Sequence, residues 1–565
     1  MKRFVCICFC GLFAQWTIAQ TAPKWIEKAK KAVFSIVAYD KDNKIKSTGN
    51  GFYISEDGMA LSDYTLFEGA ERAVIITADG KELPVESING VHSVYDVVKF
   101  RTPMMKKQQT LTASLQPAKV GETVYLLPYS TQKSTACPTG KIVSVDSIGN
   151  NSFYYTLDLK TNDKAVSCPI MNEVGEVIGM IQKSVSSDEK ESYAIGVSFG
   201  ASLNISAFSA NDRALQSIGI KKALPDTEEQ ALVYLYMVAS NLDVAAYEMT
   251  LNDFLQQYPE SSEGYIRRSA LYMNGGDAGK YALAVEDMEK AIVVASDKSE
   301  ARYSVAKNIY SYLVALNGKE PYEAWSYDKA LEIIRQAIAE SSQPLYVQLE
   351  GDILFAQQKY EEAYQSYEKV NQSEIASPET FYSAAKIKQH MEGVDYNEVI
   401  ALMDSAIARF SKPYTSSSSP YFYERAEMKV IAGKYKEAVM DYNMFYDVVK
   451  GAVTAAFYLQ REQAEIQCRM YQQAIDDINK AVELEPGNAD YWLEKGAVHM
   501  RFNQLSEAVQ ALNKAISLND KLGAAYRMLG YCQVKEDKNS ACANFAKAKE
   551  LGDEYVDKLI EKYCK

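Results

Sequence analysis

The hydrophobic pattern of the chain changes near Asp226 and divides the sequence into two parts. From about residue 25 to 205, short runs of apolar residues are separated by Asp-Gly and Asn-Gly turns, which is typical of β-strands joined by hairpins. Beyond Asp226 the apolar residues follow a helical period, and a pattern of about 34 residues recurs. This order predicts an all-β part followed by an all-α repeat array.

The segment STGNGFYISEDGMALSDYTLFEGA at 47–70 carries the most specific motif of the β part. It resembles the first barrel of trypsin-like serine proteases of the HtrA type, where Leu-Thr-x-x-His-Val-Val-x-Gly-Ala holds the general base. Leu61, Gly69 and Ala70 fit that pattern, but Thr65 occupies the position of the histidine.

A second motif, KAVSCPIMN at 164–172 followed by GEVIG at 175–179, resembles the family's Gly-Asn-Ser-Gly-Gly-Pro segment. Aligning Pro169 puts Val166 at the position of the nucleophilic serine and Lys164 at the glycine that precedes it. Asp96, in YDVVKF, resembles the third member of the triad. The resemblance therefore implies two six-stranded barrels of the chymotrypsin-like fold with a degenerate triad of Thr65, Asp96 and Val166.

Serine acyl transfer needs a hydroxyl nucleophile, an imidazole base and backbone N–H donors for the oxyanion. Thr65 cannot act as a base near neutral pH, and Val166 has no nucleophilic atom, so we expect no catalytic residues in the family positions. An alternative is an active peptidase that uses Ser167 or Cys168, which follow the nucleophile position directly. His92 is the only histidine in this region, and it lies on the wrong segment for the family base.

The α part resembles tetratricopeptide repeats, which place small residues where adjacent helices approach closely and a large residue between them. Two copies match this pattern best, and their residues are Tyr458, Ala474, Ile478, Ala481 and Pro486, then Trp492, Gly496, Ala508, Leu512 and Ala515. The pattern predicts about nine helix pairs between 226 and 553 and is silent on the ligand.

Six cysteines lie outside the first twenty residues, and two pairs among them are disulfide candidates. The last repeat resembles the C-terminal cap of exported repeat proteins, which implies that Cys542 pairs with Cys564. Cys137 and Cys168 form the second candidate, because the protease-family topology brings their segments close together.

The N-terminus, MKRFVCICFCGLFAQWTIAQ, has a short basic region, an apolar stretch and small residues before Gln20, so a secretory signal peptide is expected at 1–19. No later stretch approaches about 18 apolar residues, and we expect no transmembrane span in the mature chain. These features predict a protein secreted across the inner membrane into the periplasm or cell envelope.

The charge and the residue composition argue against several classes of ligand. The net charge of −13 disfavours nucleic acid and anionic membrane surfaces. Three histidines and no Cys-x-x-Cys motif argue against a metal site, and we expect no cofactor.

The expected organisation is a signal peptide at 1–19, a protease-fold domain at 20–206, a linker at 207–225, and a repeat solenoid with a C-terminal cap at 226–565. Stacked helix pairs form a groove able to hold an extended peptide or a helix. The leading hypothesis is a non-catalytic scaffold or adaptor that binds a protein or peptide partner. The peptidase using Ser167 or Cys168 and a chaperone-like holdase are the alternatives.

Overall fold

The computed structural model describes residues 23–131, 137–149, 152–184 and 190–564, so the expected signal peptide lies outside the described residues. The chain divides into two compact units, Met1–Ala295 and Ser296–Lys565. We call them the first and the second unit. The first contains both β-sheets, and the second is helical.

The first sheet has seven antiparallel strands in the order β5-β4-β1-β2-β3-β7-β6. Alternate residues of β1, Phe34, Ile36 and Ala38, are buried in a core that also includes Phe100, as expected for a strand whose side chains point to opposite faces. A short helix α1 precedes this sheet, and α2 follows β3. Their bounds are α1 Ile26–Ala29, β1 Val33–Tyr39, β2 Ile45–Tyr53, β3 Met59–Ser62, α2 Tyr64–Phe67, β4 Arg72–Ile76, β5 Glu82–Pro84, β6 Ser87–His92 and β7 Val97–Arg101.

The second sheet is a closed six-stranded barrel in the order β10-β13-β12-β11-β8-β9. Every residue of β12 is buried. The strands and the following short helices are β8 Thr123–Leu126, β9 Thr139–Ser147, β10 Phe153–Leu157, β11 Pro169–Met171, β12 Val177–Ile181, β13 Ser192–Gly196, α3 Val197–Ser202 and α4 Arg213–Gln216.

The β part therefore has the expected chymotrypsin-like character, with one difference in the first sheet. Two six-stranded barrels were expected, but the first sheet has seven strands and is not closed by strand pairing. A pairing of β5 with β6 would be needed to close it. Among the described residues, the outer side of β6 instead makes an isolated parallel bridge between Ile88 and Lys222.

Residues 207–225, expected to be a linker, are packed against the first sheet. The N–H of Gly219 donates to Ala70 O at 2.7 Å, and the N–H of Gly69 donates to Ser217 O at 2.8 Å. Leu215, with Ile218, Ile220 and Leu224, is buried in the core of that sheet. These apolar side chains explain the difference, because a free linker would expose them to water.

Four longer helices complete the first unit. They are α5 Glu228–Val238, α6 Val244–Gln257, α7 Ser262–Asn274 and α8 Tyr281–Val294. Leu235 of α5 and Phe254 of α6 are buried in the same cluster as the first sheet. This shared core places the boundary between the compact units after Ala295, although the sequence pattern changes near Asp226.

The second unit consists of consecutive antiparallel helices, seven pairs and a closing helix in the part that the structure describes. Their bounds are α9 Lys298–Ala315, α10 Tyr327–Glu340, α11 Pro344–Ala356, α12 Tyr360–Asn371, α13 Pro378–Gln389, α14 Tyr396–Ile407, α15 Ser419–Ile431, α16 Tyr435–Val448, α17 Ala455–Gln467, α18 Tyr471–Leu484, α19 Ala489–Arg501, α20 Leu505–Leu518, α21 Gly523–Gln533, α22 Lys538–Glu550 and α23 Asp557–Tyr563.

Small residues set the distance between the two helices of a pair, as the sequence pattern predicts. A Cβ atom added at Gly351 would lie 2.8 Å from the ring of Tyr367, and one at Gly496 would lie 2.6 Å from Leu512. Larger side chains at these positions must push the paired helices apart.

The C-terminal cap is built by α23 over the last helix pair. Its apolar residues pack on a small cluster that contains Phe545 and Val556. The structure places the sulfur atoms of Cys542 and Cys564 at bonding distance, with their Cα atoms 5.6 Å apart and a sequence separation of 22. This is the pairing that the sequence resemblance implies.

We expect the double variant Cys542→Ser, Cys564→Ser to lower the free energy of unfolding of the last repeat by roughly 2–4 kcal/mol. The reason is that the disulfide bond restricts the conformations open to the unfolded chain. Hydrogen exchange of α21 and α22 measures this loss, and Cys468→Ser, which changes an unpaired cysteine, is the control. Equal protection in the double variant and the control would contradict the prediction.

Candidate functional site

Two of the three expected triad positions, Thr65 and Asp96, are in contact in the structure. Thr65 lies on α2, and Asp96 precedes β7 in the left-handed backbone region, with φ 47°. Asp96 Oδ1 accepts hydrogen bonds from the backbone N–H of Thr65 at 2.7 Å and from its hydroxyl at 2.9 Å. The carboxylate thus holds a threonine hydroxyl at the position where the family pattern has an imidazole.

Val166 follows a single 3₁₀ turn, Asp163–Ala165, whose N–H groups are engaged within the chain. The N–H of Lys164 donates to Asn162 Oδ1 at 3.0 Å, and the N–H of Val166 donates to Asp163 O at 3.4 Å. A functional oxyanion hole needs such N–H groups free and aimed at one point in the cleft. In this arrangement they are not available to a substrate carbonyl.

Asn50 holds the same turn from the other side. Its side-chain amide donates to the carbonyl oxygens of Lys164 at 2.9 Å and Val166 at 3.0 Å. Asn50 is 9% exposed, so these bonds are shielded from water. They fix the orientation of both peptide units and thereby stabilise the closed turn.

Ser167 and Cys168, the alternative nucleophiles, are both buried with 0% exposure. Ser167 Oγ donates to Asp63 Oδ1 at 2.5 Å. Burial raises the pKa of Asp63, and the bond from Ser167 opposes that shift. Burial also raises the pKa of the Cys168 thiol to about 12, so it carries no thiolate near neutral pH.

His92 is engaged elsewhere in the first unit. Its Nδ1 accepts the backbone N–H of Tyr95 at 3.2 Å, and its ring packs on Tyr95 and Phe199, each with centroids 5.1 Å away. Among the described hydrogen bonds, none joins His92 to Ser167 or Cys168. The observed contacts are those of an aromatic packing residue.

Cys137 and Cys168 are unpaired in the structure, which differs from the expected disulfide. Cys168 lies in the core of the closed barrel with Ile170 and Ile181. Cys137 packs against a different cluster that contains Ile26 and Leu127. The two thiols are separated because they belong to different apolar cores.

A cleft of about 490 Å³ remains open beside the degenerate turn. Its lining residues are mainly polar, and neither Ser167 nor Cys168 is among them. They are Lys160, Thr161, Asn162, Asp163, Lys164, Val166, Gln182 and Ser184. The cleft can hold a ligand by hydrogen bonds, but it offers neither an activated nucleophile nor free oxyanion donors.

In the helical repeats, an arginine forms hydrogen bonds that link three successive helices. Arg461 on α17 makes two bonds to Asp477 on α18, at 2.7 and 2.8 Å, and a third to Asn443 on α16, at 2.9 Å. Arg425 on α15 makes the equivalent bonds to Asp441 and Asp404. The repetition indicates a structural role in joining successive repeats.

Two buried glutamates on α17 have carboxyl oxygens without a hydrogen-bond partner. Glu462 has no hydrogen-bond partner for either carboxyl oxygen, and Glu465 has none for Oε2. Burial is the main cause that raises the pKa of each to about 8, and nearby carboxylates add to it. Glu462 occupies the small-residue position of its repeat, where the pairs before and after have Ala426 and Gly496.

We expect Glu462→Ala to stabilise the second unit by roughly 1–3 kcal/mol at pH 9, because it removes a buried carboxylate without a partner. The folded pKa is raised, so the native carboxyl is accommodated below pH 4.5 and its cost grows as the pH rises from about 4.5 to about 8. The gain should therefore be smaller at pH 5. Urea denaturation of both proteins at several pH values measures it, and a gain independent of pH would contradict this account.

Sequence comparison finds two kinds of partial similarity to known proteins. A tetratricopeptide-repeat family model matches residues 469–522, which include α18, α19 and α20. Mouse sperm-associated antigen 1 is 36% identical over 110 residues, which are 19% of this chain and 12% of that protein. Protein SGT1 homolog of Oryza sativa subsp. japonica is 34% identical over 82 residues, 14% of this chain and 22% of that protein.

The remaining similarity is to proteases. A probable periplasmic serine endoprotease DegP-like of Pseudomonas savastanoi pv. phaseolicola is 26% identical over 178 residues, 30% of this chain and 36% of that protein. One from Halomonas elongata is 27% identical over 140 residues, 24% of this chain and 29% of that protein. The chain thus spans a minor part of each of these relatives. It combines partial similarity to HtrA/DegP-like serine proteases with a tetratricopeptide-repeat array.

Proposed function

We propose that this chain is an exported, non-catalytic protein-interaction scaffold in which a protease-like first unit accompanies a repeat array that holds a protein partner. The observation that carries the proposal is the closed turn at 163–166, where the N–H groups of Lys164 and Val166 already have acceptors. Thr65 is hydrogen-bonded to Asp96, and Ser167 is hydrogen-bonded to Asp63. Among the described residues of the cleft, no imidazole base contacts a nucleophile.

The repeats support the binding half of the proposal. Tetratricopeptide arrays present a continuous surface of successive helices, which suits an extended peptide or a helix of a partner. Two of the relatives that share these repeats carry no protease name. The similarity to periplasmic DegP-like proteases supports an envelope location, and no helix of the described residues is long and apolar enough to cross a membrane.

Two measurements on the purified mature chain test catalysis. We expect no hydrolysis of unfolded casein and no labelling by a fluorophosphonate, since the only serine next to the nucleophile position is buried and bonded to Asp63. Reproducible labelling that disappears in Ser167→Ala would establish the peptidase alternative instead.

Binding is tested with the full chain in its own envelope fraction. Chemical cross-linking followed by mass spectrometry should recover a reproducible partner, with cross-links concentrated on residues 296–564. Cross-links confined to the first unit would assign recognition to the degenerate cleft, and the absence of any reproducible partner would contradict the scaffold function. N-terminal sequencing of the same material tests export, which predicts a chain that begins near Gln20.

A further inference from the structure

The second unit contains a small pocket with aromatic walls between α15, α16 and α17. Tyr423, Phe445 and Phe457 form these walls, with ring centroids 5.2 Å apart for the first two and 5.3 Å apart for the last two. The space between them and the loop that ends at Thr454 is about 380 Å³ and is open to solvent. We refer to it as the aromatic pocket.

Carboxylates stand beside this pocket on the same face of α15. Glu424 lines the pocket, and Glu427 lies one helical turn after Tyr423, so both project near the Tyr423 ring. Glu424 accepts the hydroxyl of Tyr382 and forms an ion pair with Lys386. Its charge is therefore largely compensated within the chain.

Glu427 has no direct charged partner among the described residues. The one hydrogen bond to its carboxylate in that part of the chain is long, 3.5 Å, from the side-chain amide of Gln460, whose oxygen accepts the Tyr423 hydroxyl. None of the ion pairs among the described residues includes it. Burial and the like charge of Glu424 raise the pKa of Glu427, and Lys386 opposes that shift.

The other cations of α15 are already committed to partners. Arg425 is bound to Asp441 and Asp404, and Lys429 is bound to Asp441 at 2.8 Å. Neither is available to neutralise Glu427. Two carboxylates against one lysine leave a net negative charge at the edge of a cavity whose walls are aromatic.

This combination selects a specific type of ligand group. Aromatic faces attract cations as well as apolar groups, and the attraction grows when water is excluded. A lysine side chain has an apolar stem of four methylene groups and a charged end, so its stem can lie on the rings while the ammonium reaches a carboxylate. An acidic segment would instead meet like charge.

We propose that the aromatic pocket binds a lysine side chain of an extended partner segment, with the stem against the partly exposed rings of Tyr423 and Phe445 and the ammonium paired with Glu427. The proposal rests on the scaffold function and names the chemistry of its partner, a basic segment with apolar neighbours. The low pI of this chain, about 5.1, favours encounter with such a segment.

Fluorescence anisotropy with two labelled peptides tests the proposal on the full mature chain. One peptide alternates leucine with lysine, and the other has glutamine in place of each lysine. We expect the lysine peptide to bind about tenfold more tightly, and Glu427→Gln to remove most of that preference, since charge-assisted bonds are roughly twice as strong as neutral ones. Glu483→Gln, at an exposed ion pair on α18, is the matched control and should change nothing.

Several results would overturn the proposal. They are equal affinity for the two peptides, an unchanged preference in Glu427→Gln, or a concentration-dependent dimer that Glu427→Gln abolishes, since the last would make a second copy the occupant. Phe445→Leu should also weaken binding of the lysine peptide. If the Phe445→Leu protein unfolds, the result with Glu427→Gln decides the test. An envelope partner retained equally by wild type and Glu427→Gln would leave the scaffold function standing and remove only this inference.

Discussion

The double variant Thr65→His, Val166→Ser is expected to remain almost inactive although it restores both missing side chains of the triad. Asp96 already accepts hydrogen bonds from residue 65 and can orient an imidazole placed there. The oxyanion donors remain engaged, because the N–H groups of the turn at 163–166 donate to Asn162 and Asp163. Loss of one such donor costs about 10²–10³ in rate.

Hydrolysis of a fluorogenic peptide and labelling by a fluorophosphonate measure this result. The triple variant, which adds Lys164→Gly, is the comparison, because glycine permits the backbone turn that the family uses. It should exceed the double variant by up to about 10²–10³ in turnover if the donors limit the reaction. Strong turnover in the double variant would mean that the turn opens without help from glycine.

Arg461→Met should lower the free energy of unfolding of the second unit by about 3–5 kcal/mol, the usual effect of removing one member of a buried ion pair. Arg461 is 12% exposed and Asp477 is 7% exposed. The substitution removes three hydrogen bonds and leaves the Asp477 carboxylate without its cation. Urea denaturation followed by circular dichroism measures the loss.

Two further variants separate the cause of that loss. Lys480→Met breaks an exposed ion pair with Glu483 within the next helix, α18, and should change the stability little because solvent screens that pair. The double variant Arg461→Met, Asp477→Leu should recover much of the stability, because it no longer buries an unpaired charge. If Arg461→Met and Lys480→Met have equal effects, Arg461 does not join the three helices energetically.

The sequence predicts the triad positions from local motifs. Two motifs assign Thr65 and Val166, and YDVVKF assigns Asp96. The structure brings Thr65 and Asp96 into hydrogen-bond contact. Repeat spacing likewise placed the small residue Gly496 between paired helices. These features depend on local motifs whose register a single sequence reveals.

The residues that hold the turn at 163–166 in place could not be predicted from a local motif. Asn50 and Asp63 act on a segment more than a hundred positions later, and no local pattern marks their partners. A weak signal existed for Arg461, because an arginine and a later aspartate recur together as Arg425 and Asp441. Glu462 carries a signal too, because a charged residue stands at a small-residue position of its repeat.

The expected linker was misjudged for a physical reason. Its short helices and turns carry no strong periodicity, but Leu215, Ile218 and Ile220 are apolar residues that need a core. Their contacts are with the first sheet, distant in sequence. The position of this segment is therefore determined by tertiary packing, which no local sequence pattern reveals.

The segment that follows Ser217 also protects the first sheet from pairing with other chains. An exposed outer strand offers unpaired N–H and carbonyl groups to any extended polypeptide, which leads to aggregation. Here the N–H of Ile88 donates to Lys221 O, and the N–H of Ala223 donates to Ile88 O, both at 2.8 Å, so part of the β6 edge is occupied by the chain itself. A fragment cut at residue 206 would lose this cover, and any dissection of the protein must keep the β part together with the residues that shield it.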